Sequence, residues 1–125
     1  MEVILDTNFL IYCAKEKLDY VEELRDLINE SYELVVPGQV IEELERLKIK
    51  AKKGKDKDAS DLALKILKNN KIKKINPAGK SVDDAIVNLA KKDKKNIVCT
   101  LDREMRWNLG RVILISRGKK LILTR

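Results

Sequence analysis

Histidine is absent from this 125-residue chain, and its absence removes several kinds of active site from consideration. Without it the chain cannot carry out histidine-dependent hydrolysis or histidine acid–base catalysis, and it cannot form the common histidine-rich zinc sites. Cysteine is scarce, since Cys13 and Cys99 are isolated and lack metal-ligand spacing. We interpret both as reduced core residues of a cytoplasmic protein. Any hydrolytic chemistry must therefore depend on carboxylates.

Long apolar runs and linker-like segments are also missing. No apolar run approaches the roughly 18 residues of a membrane span, and no basic segment leads into an apolar one with a cleavage site. We therefore expect neither membrane insertion nor secretion. The 5 glycines and 2 prolines form no linker. Because 44% of the residues are hydrophobic, the chain has enough apolar content to fold, and we predict one globular domain over residues 1–125.

Positive charge is present in excess. The chain has 27 Lys and Arg residues against 20 Asp and Glu residues, a net charge of +7 that favours a polyanionic partner such as nucleic acid. Segment 46–57 is the most basic, with Arg46, Lys48, Lys50, Lys52, Lys53, Lys55 and Lys57. It is either a phosphate-binding flap or a solvated helix end and loop. Because no aromatic residue interrupts it, we expect contacts to a nucleic-acid backbone rather than base stacking.

Short apolar runs alternate with segments of helical periodicity. We predict strands at residues 3–5, 34–36, 72–75, 97–99, 112–115 and 121–123. Four helices are predicted from apolar faces at Val21, Leu24, Leu27 and Ile28, at Val40, Ile41, Leu44 and Leu47, at Leu62, Ile66 and Leu67, and at Val82, Ala85, Ile86, Leu89 and Ala90. Pro37 fits the start of a helix, and residues 76–79 read as a turn. This order predicts a mostly parallel sheet with helices on both faces.

Four acidic residues recur beside the predicted strands. Asp6 and Asp102 follow strands directly, whereas Glu43 and Asp84 lie in the helices after the second and third strands. In a parallel sheet all four positions fall at or beside the carboxyl ends of strands, where open α/β sheets bind ligands. Glu43 flanks its helix's apolar stripe, while Glu42 lies nearly opposite it. A carboxylate cluster suits Mg²⁺ or Mn²⁺ better than zinc, so we predict a site for one of these ions.

Each acid also has a purely structural explanation. Asp6 could cap the turn into a helix near residue 8, and Glu43 could be a rim charge. Ser81 to Asp84 matches a capping box, and Asp102 could cap a short helix through residue 107. Independent capping, however, does not predict that the four acids cluster at one edge of a sheet.

In their order and spacing these segments make the chain resemble the PIN-domain nucleases over essentially its whole length. The segments are Leu5-Asp6-Thr7-Asn8, residues 37–44, Asp84-Ala85-Ile86-Val87 and Thr100-Leu101-Asp102-Arg103-Glu104. The resemblance implies a Rossmann-like, three-layer α/β/α domain that cleaves single-stranded RNA with metal ions. It implies a catalytic, metal-binding quartet of Asp6, Glu43, Asp84 and Asp102, with supporting roles for Asn8 and Thr100. We assign Asp6 and Asp102 as primary ligands.

The end of the chain, residues 112–121, resembles the branch of PIN proteins tied to ribosomal RNA processing, so a ribosomal RNA precursor is an expected substrate. Toxin members often have Asn where Asp102 stands, followed by an Asp-Phe pair, and this chain has neither. Glu104 is instead an additional acid. A toxin paired with an antitoxin protein is the less favoured alternative, and a homodimer is compatible with either.

Two other classes fit parts of the sequence. An aspartyl-phosphate enzyme or receiver domain also places an Asp after its first strand, but the phosphatase pattern expects a second acid where Asn8 stands. A non-catalytic RNA-binding scaffold would keep the fold and the basic surface. The complete acidic quartet argues against the scaffold.

Overall fold

A six-stranded sheet forms the centre of the protein. The structure, a computed structural model, describes residues 1–50, 54–117 and 119–124. The strands are β1 (Glu2–Leu5), β2 (Glu33–Pro37), β3 (Lys73–Ile75), β4 (Ile97–Cys99), β5 (Arg111–Ser116) and β6 (Lys120–Thr124), in the spatial order β3-β2-β1-β4-β5-β6. The first five pair in parallel, and β6 pairs antiparallel with β5. The predicted three-layer α/β/α architecture with a mostly parallel sheet is confirmed, and each predicted strand is present.

Helices lie between the strands, and they include the four that the periodicity predicted. They are α1 (Thr7–Lys15), α2 (Tyr20–Leu27), α3 (Gly38–Lys50), α4 (Lys55–Asn69), α5 (Val82–Ala90) and α6 (Met105–Asn108). Two details differ from the sequence prediction. Pro37 ends β2, and α3 begins at Gly38. The buried face of α4 is formed by Ala59, Ala63 and Leu67, while Leu62 is 40% exposed, because small residues allow α4 to pack closely on α1 and α3.

The order of the strands creates a crevice at the centre of the sheet. From β1 the chain moves to β2 and β3 on one side, and it then returns to place β4 on the other side of β1. Parallel α/β sheets bind ligands at such a switch point, outside the carboxyl ends of the strands. The backbone N–H of Asp6 donates to the Cys99 carbonyl at 3.0 Å, and that of Thr100 donates to the Ile113 carbonyl at 3.1 Å. Asp6 and Thr100 therefore stand side by side at this crevice.

The core encloses most of β1 and all of β4. Residues 3–5 and 97–99 are fully buried, as expected for central strands covered on both faces. Cys13 and Cys99 are free and buried, and burial raises the pKa of the Cys13 thiol to about 12, which agrees with the interpretation of inert core residues. Among the described residues, no helix has the length and apolar character needed to cross a membrane.

Candidate active site

Asp6 combines the two roles that its position allowed. It is the N-cap of α1, where its Oδ1 accepts a hydrogen bond of 2.8 Å from the backbone N–H of Thr7. Its Oδ2 accepts a hydrogen bond of 2.6 Å from the Thr100 hydroxyl. Only 4% of Asp6 is exposed. Capping and placement at the crevice are thus properties of the same carboxylate, with one oxygen used for each contact.

The electrostatic environment of Asp6 brings two further acids into the site. Burial is the largest cause of a pKa raised from 3.8 to about 6. The hydrogen bonds from Thr100 and Thr7 lower the pKa, because they stabilise the ionised form. The negative charges of Asp83 and Glu43 raise it. Both carboxylates therefore lie close enough to Asp6 for their charges to act on it.

Thr100 and Asn8 hold the loop that follows β4. The Thr100 hydroxyl accepts a hydrogen bond of 3.0 Å from the backbone N–H of Asp102, while it donates to Asp6. Oδ1 of Asn8 accepts one of 3.1 Å from the N–H of Leu101. Asp102 in turn accepts one of 2.9 Å through Oδ1 from the N–H of Glu104. These bonds fix residues 101–104 against the carboxyl end of β1.

An acidic groove of about 630 Å³ opens between α5 and α6. Its lining consists of Gly79, Lys80, Asp83, Asp84, Val87, Asn88, Asp102, Glu104, Met105 and Asn108. Four of these residues are acids, and a single one is basic. The groove brings together Asp84, Asp102 and Glu104 from the sequence prediction. Glu43 and Asp6 are absent from this lining.

The first turn of α5 supplies two of the acids in the groove. Ser81 is the N-cap of α5, and its Oγ accepts a hydrogen bond of 3.1 Å from the backbone N–H of Asp84. This bond, which is one half of the predicted capping box, leaves the Asp84 carboxylate in the groove wall. The positive end of the helix dipole favours the negative charges of Asp83 and Asp84 at these positions.

Asp83 is the acid that the sequence prediction missed. It acts on the pKa of Asp6 and also lines the groove beside Asp84, so it connects the two groups of carboxylates. A signal for it exists in the sequence: Asp83 precedes the buried Ile86 by three residues, and residues so spaced share one side of a helix. The capping box of residues 81–84 accounts for acids at this helix end without reference to a site, and Asp83 was therefore not selected.

The predicted ligands do not form a closed metal-binding group. Within residues 1–50, 54–117 and 119–124, no three acidic or thiol side chains converge closely enough to hold a metal ion. What the structure provides is a buried acid with Glu43 and Asp83 near it, and a groove whose carboxylates come from α5 and the 102–104 loop.

The basic segment is divided between two helices. Arg46 and Lys50 are exposed on α3 at helical spacing from Glu43, so they share its side of the helix. Lys48 instead forms an ion pair of 3.1 Å with Asp61 on α4. A phosphate-binding role therefore fits Arg46 and Lys50 better than Lys48.

Lys55 and Lys57 belong to the first turn of α4. Lys52 and Lys53 lie outside the described residues, as does the side chain of Lys55. Lys57 is exposed in the first turn of α4.

Comparison with known proteins identifies relatives over nearly the whole chain. A family model described as a PIN like domain matches residues 3–122. Ribonuclease VapC4 of Methanocaldococcus jannaschii is 39% identical over 123 residues, which cover 95% of this chain and 92% of that protein. The rRNA-processing protein fcf1 of Schizosaccharomyces pombe is 27% identical over 112 residues. This match covers 88% of the chain but 54% of fcf1, so the chain spans about half the length of that relative.

Solved structures agree at the level of the fold. The PIN domain endonuclease Utp24 superposes with a TM-score of 0.78 at 24% identity, covering 99% of this chain and 91% of that one. VapBC2 from Rickettsia felis, bound to a DNA fragment from its promoter, gives a TM-score of 0.62 at 19% identity, with coverage of 87% and 96%. From its matching family model and its relatives, the chain belongs to the PIN domain family.

Proposed function

We propose that this protein is a Mg²⁺- or Mn²⁺-dependent endoribonuclease that cleaves single-stranded RNA during the processing of ribosomal or other RNA. One observation carries the proposal: the buried Asp6 stands at the switch point of the sheet under the influence of Glu43 and Asp83, beside an acidic groove. A relative named as a ribonuclease, 39% identical over 123 residues, supports the class of reaction.

The side chains of the site supply the type of ligand atom that a hard divalent cation binds. Carboxylate oxygens are the ligands that Mg²⁺ and Mn²⁺ prefer, and Mg²⁺ is commonly held by one or two carboxylates together with water and substrate phosphate. A cation would also stabilise the ionised form of Asp6, whose pKa is raised mainly by burial and further by the charges of Asp83 and Glu43. Asp6, Asp84 and Asp102 are the proposed ligands, and Glu43 and Asp83 are available to join them. The bound metal would activate a water molecule and neutralise charge on the phosphoryl group.

The protein's own residues orient the site and exclude water from part of it. Thr100 holds the ionised form of Asp6 through a hydrogen bond of 2.6 Å, in which the hydroxyl donates to the carboxylate. Asn8 and Thr100 fix the loop that carries Asp102 and Glu104. Glu43 would orient the attacking water if it is not itself a ligand, and no covalent intermediate on the protein is needed.

Phosphate contacts would come from cationic side chains in and beside the acidic groove. Lys80 lines the groove, and Arg46 and Lys50 are exposed on the same side of α3 as Glu43. Such contacts position an RNA strand without reading its sequence, and they weaken as salt concentration rises. They would also offset the repulsion between the acidic groove and the RNA backbone.

A cleavage assay with a matched pair of variants tests the proposal. The substrate is an end-labelled single-stranded RNA, incubated with Mn²⁺ or Mg²⁺ and, in parallel, with EDTA. Asp6→Asn should lose cleavage, whereas Asp93→Asn should retain it. Asp93 is exposed and lies in the turn before β4, at the amino ends of the parallel strands and so away from the candidate site. Its Oδ1 accepts a hydrogen bond of 2.9 Å from the backbone N–H of Lys95. Cleavage that survives EDTA or Asp6→Asn would exclude the proposed mechanism.

A toxin function is the second candidate. The observation that favours it is the match to VapC4, which covers 92% of that protein, compared with 54% of fcf1. An antitoxin would then be the protein partner. Induced expression separates the candidates: a toxin should arrest growth in its active form but not as Asp6→Asn, whereas a processing enzyme should leave growth intact.

A protein that binds RNA but does not cleave it under any metal would be a scaffold. Cytoplasmic location and dimer formation stay predictions.

A further inference from the structure

The turn that precedes α5 is held at three successive carbonyl groups. Gln39 Nε2 donates hydrogen bonds of 2.9 Å to the Pro77 carbonyl and 3.2 Å to the Gly79 carbonyl. Between them, the Ala78 carbonyl accepts one of 2.7 Å from Asn88 Nδ2. Gln39 belongs to α3 and Asn88 to α5, so the turn joins these helices through side-chain amides.

The Gln39 side chain is oriented so that its nitrogen, and not its oxygen, faces the turn. Its Oε1 is buried and lacks a hydrogen-bond partner among the described residues. Rotating the amide would place Oε1 against two carbonyl oxygens, so the orientation of the side chain is determined by the turn. A buried acceptor without a partner is unfavourable, and the two donations from Nε2 offset that cost.

Close backbone packing on both sides of the turn accompanies the amide contacts. A Cβ at Gly38 would meet Oδ1 of Asn76 at 2.6 Å. Gly79 has a φ of +148°, and a Cβ there would meet the backbone N of Ala85 at 2.6 Å. The start of α3, the turn and the first turn of α5 are therefore in direct contact, with glycine at both points of closest approach.

This arrangement links the helices that carry three of the acids. Glu43 lies one turn beyond Gln39 on α3, and Asp83 and Asp84 lie in the first turn of α5. We propose that Gln39 is a positioning residue, which fixes the amino end of α5 against α3 and so sets Asp83 and Asp84 relative to Glu43. The inference rests on the proposed function, because it takes the site formed by these acids to bind a divalent cation.

Gln39→Met tests the inference at nearly constant side-chain size. The variant removes both donations and the unpartnered Oε1, so the fold should be retained. Asn70→Leu is the matched control: Asn70 Nδ2 donates a hydrogen bond of 2.9 Å to the Ile66 carbonyl at the end of α4, a helix that carries none of the proposed ligands. Two readouts are compared in both variants, namely Mn²⁺ affinity by electron paramagnetic resonance without RNA, and amide hydrogen exchange in residues 77–88 without metal.

The expected result for Gln39→Met is faster exchange at the start of α5 and roughly tenfold weaker Mn²⁺ binding, because loss of a residue that orients metal ligands typically costs tenfold or more in affinity. Asn70→Leu should change neither readout. Unchanged exchange, or faster exchange with wild-type Mn²⁺ affinity, would overturn the positioning role. Wild-type protein that binds no Mn²⁺ would overturn the proposed function itself, and the exchange data would still decide whether Gln39 fixes α5.

Discussion

Replacing Asp6 with Asn should stabilise the fold at neutral pH while it removes RNA cleavage. Asp6 is 4% exposed, and burial together with the charges of Asp83 and Glu43 raises its pKa from 3.8 to about 6. In the pH range between these values the folded state binds more protons than the unfolded state. Stability therefore falls as pH rises through this range, and the full penalty is present above about pH 6.

The size of the effect follows from the pKa. The difference between 3.8 and about 6 corresponds to about 3 kcal/mol, at about 1.4 kcal/mol for each pH unit. Asn can keep the hydrogen bonds: Oδ1 would still accept from Thr7 N–H, and Nδ2 would donate to the Thr100 hydroxyl. That hydroxyl could then donate to Oδ1 of Asn8, which is 3.5 Å from it. We expect a gain of up to about 3 kcal/mol at pH 7 that disappears below pH 4.

Urea denaturation of the wild type and Asp6→Asn in EDTA, at several pH values from 4 to 7, measures this difference directly. Asp93→Asn, at an exposed residue, is the control, and it should not show the gain in stability at pH 7 that is expected for Asp6→Asn. Adding Mn²⁺ should stabilise the wild type but not Asp6→Asn. An Asp6→Asn protein that is less stable than the wild type at pH 7, or a difference independent of pH, would refute the electrostatic reasoning.

Three further outcomes are expected. Gly79→Ala should lower the unfolding free energy by a few kcal/mol in thermal denaturation, because a side chain at φ +148° is strained and would meet Ala85 N at 2.6 Å; Gly110→Ala, with nothing within 4 Å of the new Cβ, should be nearly neutral. Asp84→Asn should be as stable as the wild type without metal, because the capping bond to Ser81 Oγ comes from the backbone N–H of residue 84, which the substitution keeps. It should lose most cleavage and most stabilisation by Mn²⁺. Arg46→Gln combined with Lys50→Gln should reduce the slope of log affinity against log salt by about 1.4, measured by anisotropy on single-stranded RNA in Ca²⁺, and an unchanged slope would remove both residues from the RNA interface.

The sheet could be predicted because burial on both faces leaves a simple trace in the sequence. Residues 3–5 and 97–99 are uninterrupted apolar runs, and each is followed at once by a polar residue of the site. The position of Asp6 at a strand end follows from this pattern alone. Its partner Thr100 was found only through resemblance to a family, because a threonine after an apolar run has no distinctive chemistry of its own.

Packing between helices was harder to predict, and α4 illustrates the reason. Apolar periodicity favoured Leu62 as part of the buried face, but Ala59 and Ala63 fill it, since large side chains would prevent close packing on α1 and α3. The choice between small and large residues depends on the distance between helices, and a single sequence does not encode that distance. The contact between Gln39 and the Pro77 and Gly79 carbonyls was also missed. It joins segments far apart in the chain, and a single sequence does not encode how closely such segments approach.

Asp83 shows why the electrostatics of a site require the structure. Helical spacing restricts the side of α5 on which a residue lies, but the influence of Asp83 on Asp6 depends on where the crossover from β3 to β4 places α5. The Gln39 contacts and the close approach at Gly79 both act on that placement. Burial is the largest cause of the raised pKa of Asp6, and only the smaller contribution from the charge of Asp83 depends on how α5 docks on α3. If Gln39→Met lets the start of α5 move away, that contribution should weaken and the pKa of Asp6 should fall slightly.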